Sequence, residues 1–419
     1  MSSFKQLIDL KSLIQKNQGF SISSKTVEKL SLQEWVLIFT LASLTALGPL
    51  AIDMYLPAFP KIAADLQTEV SYVQVSLSTF LGGLAVGQLF WGPISDKYGA
   101  KKPILLSLSI FILTSFACMY VSDIKVMWAL RFLQAFGSSG GLVIARSIVN
   151  KRFDKDKTLK IFSILALVGG IAPIVAPILG NAVLKYFDWP HIFTAMGAFA
   201  LFSIAMTFTF LKEDFSNRLP SLEVRSIAQN YGKLFQNKTF VTYTFVGSIA
   251  FSCLMLYISN SPVLVMEVGG LSSTAFSIVF MVNSCGLMLG SFLTSSFLRK
   301  RLEPKRIIAL GTSIQLIAAL SLFGVIVLDG SIYYQLVPLF FFVLPLGMIF
   351  PTSTTLALSP FKAESGIASA LFGASQLAFT FLTSVLLNTL NDGTMYIVAL
   401  SLATCALCSL LINTFTQKT

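Results

Sequence analysis

Apolar residues run along this chain in blocks of about 20, the length a helix needs to cross the hydrocarbon core of a bilayer, with short polar turns between them. The blocks lack the period-two alternation of a half-buried strand, so each is expected to be a helix with its backbone hydrogen bonds closed internally. Six are predicted in the first half, at 35–57, 72–94, 103–121, 126–148, 159–184 and 191–211. Six more follow at 240–265, 274–298, 307–328, 332–355, 366–390 and 395–414. The polar stretch between them places Leu219, Leu222, Ile227, Tyr231, Leu234 and Phe235 near one helical face, which predicts a linker lying on the membrane surface. The expected organisation is a cytoplasmic tail (1–33), a six-helix bundle (34–211), an amphipathic cytoplasmic linker (212–238), a second six-helix bundle (239–415) and a short cytoplasmic tail (416–419).

A shift of roughly 204 residues carries the basic loop 92–102 onto 296–306, and the connection 150–160 onto 354–364. An internal repeat of this kind implies two pseudo-symmetric bundles with a site between them near mid-membrane. Composition agrees: 55% of the 419 residues are hydrophobic, 12% are charged, and the mean hydropathy is +0.77. The net charge of +11 would suit a nucleic-acid partner only if it formed one patch. With the N-terminus inside, 25 of the 30 Lys and Arg fall on the cytoplasmic side, leaving Lys61, Lys125 and Lys185 outside and Arg131 and Arg146 within a helix. That asymmetry records topology, with both termini cytoplasmic, and no nucleic-acid partner is expected. The five cysteines lie in apolar runs away from His and carboxylates, so neither disulfides nor a metal are expected; Cys405 and Cys408 read as small interior residues despite their redox-like spacing.

Chemistry-bearing residues are few. Gly48 to Pro60 is the outer part of the first apolar segment, and it carries Asp53, a carboxyl group where a membrane helix ordinarily has none. Arg131 sits about six residues inside the outer end of the fourth segment, at a matching depth, where it is expected to hold Asp53 ionised until a proton or a substrate displaces it. Polar groups inside apolar helices, namely Tyr257, Asn260, Asn283 and Gln376, together with Thr45, Pro49 and Gln134, are candidates for a substrate cavity. An enzyme would need paired carboxylates, a second His or a phosphate loop, so neither an enzyme nor a cofactor is expected.

Three motifs carry a family resemblance. The loop Gly92-Pro-Ile-Ser-Asp96-Lys97-Tyr-Gly99-Ala100-Lys101-Lys102 resembles the loop signature of the major facilitator superfamily, whose glycines permit a tight turn and whose acid faces a helix N-terminus of the other half. Here Ala100 stands where the family usually has Arg, and Lys151 stands where it has the partner acid. Arg131-Phe-Leu-Gln134-Ala resembles the family's Arg-x-x-Gln-Gly motif, and the fifth segment, with Gly170, Pro173, Pro177 and Gly180, is similar to the antiporter signature of its exporters, a hinge and packing seam between the halves. Across most of the chain the resemblance is to twelve-helix drug:proton antiporters of the Bcr/CflA type. It implies a monomer in the plasma membrane, the bacterial inner membrane by its loop lengths. Its expected activity is proton-coupled export of small lipophilic or cationic compounds, with Asp53 and Arg131 coupling the proton. A dedicated carrier of one metabolite such as a siderophore, peptide or sugar is the competing reading, and a non-transporting receptor a weaker one.

Overall fold

A computed structural model of the chain describes residues 30–211, 232–361, 365–390 and 395–417. The expected N-terminal tail and most of the linker, residues 1–29 and 212–231, lie outside the described residues. Among the described residues there are helices and turns and no strands, and twelve helices are long and apolar enough to span a membrane. The first six are α1 (Leu32–Asp53), α2 (Val70–Tyr98), α3 (Lys101–Cys118), α4 (Ile124–Arg152), α5 (Lys155–Tyr186) and α6 (Pro190–Phe210). The last six are α7 (Lys238–Pro262), α8 (Ser273–Ser296), α9 (Pro304–Val327), α10 in two segments (Ile332–Val343 and Leu346–Leu358), α11 (Ser365–Leu390) and α12 (Met395–Gln417).

The helix starts follow their capping chemistry. Ser31 and Glu34 form a reciprocal capping box at α1, and the side chains of Asp154, Asn237 and Ser272 accept from first-turn N–H groups of α5, α7 and α8. Glycines set the closest approaches. A Cβ on Gly83 would collide with the Phe132 carbonyl and one on Gly87 with Ser139, so α2 and α4 pack backbone to backbone. The second half repeats the device, Gly290 lying against the Leu344 carbonyl and Gly347 against that of Leu287, which brings α8 onto α10.

α1 and α7, the first helix of each half, are broken at comparable places. α1 ends at Asp53, continues as a 3-10 turn (Leu56–Ala58) and resumes as a short helix, Phe59–Asp65; α7 gives way after Pro262 to a π-turn, Val263–Val268. Proline explains both, since Pro49, Pro57 and Pro262 lack the N–H that would continue the ladder. The break in α1 departs from the uninterrupted 35–57 helix expected of the sequence. The helices' two ends differ: loops 99–100, 153–154 and 297–303 lie at one, the basic end, with Lys97, Lys101, Lys151, Arg152 and Arg299.

The halves meet chiefly towards the opposite end. Asn181 at the end of α5 donates to Thr274 and accepts from Ser273, and Ser277 donates to the Pro177 carbonyl. Gln74 of α2 donates to the Ser259 carbonyl and to Asn260, while Ser78 and Ser384 share a hydrogen bond of 2.5 Å. Gly170, on the α5 face that carries Pro177 and Asn181, has open space where a Cβ would stand, two turns nearer the basic end. The hydrogen bonds between the halves thus lie towards one end, while α2 and α11 stay in contact past mid-helix, through Gly82 and Phe381 and through Gln88 and Gly373.

Candidate functional site

Asp53 is the last residue of α1, on the same face as Thr45 and Pro49 at i, i+4 and i+8. Its side chain is 2% exposed, and its Oδ1 is fully buried without a hydrogen-bond partner. The reverse face of α1 carries Leu47, Leu50 and Met54, which wall an apolar recess of about 450 Å³ shared with α3, α5 and α6. That recess is behind Asp53 and does not belong to its site.

Arg131 is wholly buried, yet it does not pair with Asp53. Its Nη2 donates to the Ala51 carbonyl at 2.8 Å and its Nη1 to Gln134 Oε1 at 2.5 Å. The guanidinium carbon lies 4.2 Å from the Tyr55 ring centre, 4.3 Å from that of Phe80 and 5.8 Å from that of Phe193. The cation thus answers a carbonyl left over at the C-terminal end of a helix, where positive charge is favoured, inside an aromatic cage. The expected ion pair is not formed because the break in α1 offers the guanidinium backbone oxygen first. Gln134, expected on the cavity wall, is instead fully buried between Arg131 and Ser115, to which its Nε2 donates at 2.7 Å.

The other candidates divide. Thr45 is buried and its hydroxyl donates within its own helix to Ala42; Pro49 is half-buried. Tyr257, the counterpart of Asp53 under the repeat shift, lies within electrostatic range of it in the second half. Its hydroxyl accepts from Asn283 Nδ2 at 2.9 Å, and its ring stacks on Phe280. Asn260 joins the contact between halves through Gln74, and Gln376 of α11 is half-buried against Gly247 of α7. Asp53, Tyr257 and Asn283 thus share one buried region, with Pro49 half-buried one turn along α1 from Asp53, whereas Arg131 and Gln134 stand behind it as scaffold. Tyr55, Phe80, Phe193 and Gln74 were not singled out in the sequence; only the proximity of Tyr55 to Asp53 hinted at a ring.

At the basic end the loop motif folds differently from its usual pairing. Gly99 takes φ +84°, which a side chain would resist, so the turn from α2 to α3 needs it. Asp96 is paired within its own half, where Lys151 Nζ of α4 reaches its Oδ1 at 2.6 Å. Lys101 donates to the Phe208 carbonyl, Lys97 lies over the Tyr98 ring, and Gly92 faces Val143. Within α5, Gly180 abuts the Met54 backbone of its own half, while the Pro177 carbonyl and Asn181 meet α8, so the expected seam between halves is carried only by the latter residues; Pro173 lies in the same helix.

Comparison with known proteins adds a family. The model described as Major Facilitator Superfamily matches residues 41–376. YdgK of Bacillus subtilis, described as an MFS-type transporter, is 33% identical over 362 residues, 85% of this chain and 89% of its own. The bicyclomycin resistance protein homolog of Haemophilus influenzae is 30% identical over 379 residues, 90% of this chain and 95% of its own. Among solved structures, a D-xylose-proton symporter superposes with a TM-score of 0.71 at 16% identity, covering 90% of this chain and 96% of that one, a likeness of fold.

Proposed function

The chain belongs to the major facilitator superfamily, a multi-pass membrane transporter family, and from that membership and its site we infer that it exports small lipophilic or cationic compounds in exchange for protons. Relatives named for multidrug and bicyclomycin resistance support export. The observation that carries proton coupling is Asp53, a lone membrane carboxyl whose Oδ1 lacks a partner, at the break in α1 and opposite Tyr257 of the other half. A proton or a cationic group of the substrate completes that oxygen, and rocking of the halves exposes it first to one side and then to the other. Arg131 supports the reading by fixing the carbonyl end of α1, which positions Asp53. The charge asymmetry of the loops puts the basic end in the cytoplasm, so the open side of the described state faces inward. The carrier works as a monomer and uses no cofactor.

The test is proton movement in inverted vesicles under an imposed pH gradient, on adding cationic and neutral drugs to wild type and Asp53→Asn. Collapse of the gradient by a drug with wild type and not with the variant supports antiport through Asp53. Silence across a broad drug panel, with binding of a single metabolite, would replace multidrug export with a dedicated carrier.

A further inference from the structure

Arg146 of α4 lies six residues before the helix ends at Arg152, about 9 Å from the basic end and well within the membrane span. It is fifteen residues from Arg131, four turns and about 60° further round the helix. α4 packs on α1 through Gly141 and Leu44, on α3 through Gly137 and Phe111, and on α2 through Val143 and Gly92. Its lipid stripe is marked by Val126 and Leu133, which are exposed. Arg146 falls instead between the α1 and α2 contacts, on the side turned towards the second half. Arg146 is exposed within the span, on the side of α4 away from that stripe, as expected of a residue lining a recess and not of one facing lipid. The open space at Gly170 of α5 lies on the basic-end side of the Asn181 contacts.

The nearby cations Lys151 and Lys157 are paired with Asp96 and Glu34. Arg146 has neither an ion pair nor a hydrogen bond among the described residues. A guanidinium at membrane depth is costly to keep, and one left uncompensated in a low-dielectric recess sets up a positive field with a five-donor fork at its centre. We propose that Arg146 is an anion-binding point of the central cavity, and that the exported lipophilic compounds include organic acids, held through a carboxylate or sulfonate. Neighbouring apolar side chains such as Leu142 take the hydrocarbon body, and the fork takes the acid group in a bidentate contact. The proposal rests on the export reading and names a substrate class within it.

The experiment compares two dyes of one ring framework, 1-anilinonaphthalene-8-sulfonate and neutral N-phenyl-1-naphthylamine, binding to the whole protein in phosphatidylcholine nanodiscs, with empty nanodiscs subtracted. For Arg146→Gln the sulfonate Kd should rise about tenfold or more while the neutral amine is unchanged; Arg146→Lys, which keeps the charge and loses the fork, should fall between wild type and Arg146→Gln. Equal weakening of both dyes, or no change in either, overturns the proposal. If phosphatidylglycerol in the nanodisc abolishes the wild-type advantage for the sulfonate, the arginine holds lipid phosphate and the proposal again falls. Dye binding needs no gradient. Sulfonate selectivity in a protein that moves no proton with any drug would sink export and leave the anion site, whereas proton-linked transport without selectivity would do the reverse.

Discussion

Arg131 and Asp53 share a depth, and their closeness without contact separates two roles that the sequence assigns to one pair. The arginine binds the carbonyl end of α1, Gln134 and three rings, so its removal leaves buried acceptors unmatched. Arg131→Met should therefore lower folding stability by about 2–4 kcal/mol, read as thermal unfolding in detergent, whereas Asp53→Asn should unfold like wild type and lose only gradient-coupled transport. Equal unfolding of wild type and Arg131→Met would return the arginine to a purely electrostatic task. The aromatic cage was not legible in the sequence because Tyr55, Phe80 and Phe193 come from three distant segments, and nothing in one-dimensional spacing marks a ring that will face a cation. Asp53 itself was legible, since a carboxyl in an apolar run needs no structure to be noticed. Outside the membrane, Lys61 donates to Asp188 at 2.5 Å and holds that exposed carboxyl below its usual range. A depressed folded value means that the pair supports the fold above the ordinary carboxylate range and that this support disappears as the pH falls through the folded value, below about 3.9. With both groups solvated, Asp188→Asn should fall only slightly below wild type in melting temperature at pH 7, the gap narrowing as the pH is lowered through the carboxylate range and vanishing in 1 M salt.

Glycine decides how closely the helices pack, and it does so unequally within α5. A Cβ at Gly180 would collide with the Met54 carbonyl, while one at Gly170 meets open space, although both belong to the same signature. Gly180→Ala should push α5 off the broken end of α1 at a cost of about 1–3 kcal/mol and depress transport; Gly170→Ala should fold like wild type. Comparable stability of the two variants would remove the packing role given to Gly180. Helix number and type were plain from apolar length alone, and most ends were placed within a few residues. The extension of α2 to Tyr98 and the continuation of α1 as a 3-10 turn and a short helix were not. Pro57 announces an interruption but not whether the chain turns away or resumes along the same axis. The Asp96–Lys151 pair was likewise hidden: the sequence showed a lysine where an acid was expected, and only the packing of α2 on α4 turns that substitution into a partner within one half.

At the scale of the molecule, the hydrogen bonds between the halves are gathered at one end, as an alternating carrier caught open to one side requires. Cysteines placed at Asn181 and Thr274, whose side chains touch at 3.1 Å, should cross-link under mild oxidation in a background without the five native cysteines and stop transport until reduced. A cross-linked protein that still transports would mean that this contact does not part during the cycle. The pseudo-symmetric halves were visible in the repeat of basic loops, but the direction of opening was not, because either state satisfies the same hydrophobic pattern. One feature of the site also governs energetics. With Asp53 alone carrying the proton, one proton entering for one neutral molecule leaving moves a net positive charge inward, whereas one proton exchanged for one monovalent cation moves none. Export of a neutral drug should thus draw on membrane potential as well as on the pH difference, about 2.3 kcal/mol for each 100 mV, and export of a monocation on the pH difference alone. Clamping the potential with potassium and valinomycin should therefore slow the first and spare the second, which makes the ionic form of its cargo, and not its size, decide how far this carrier can concentrate it.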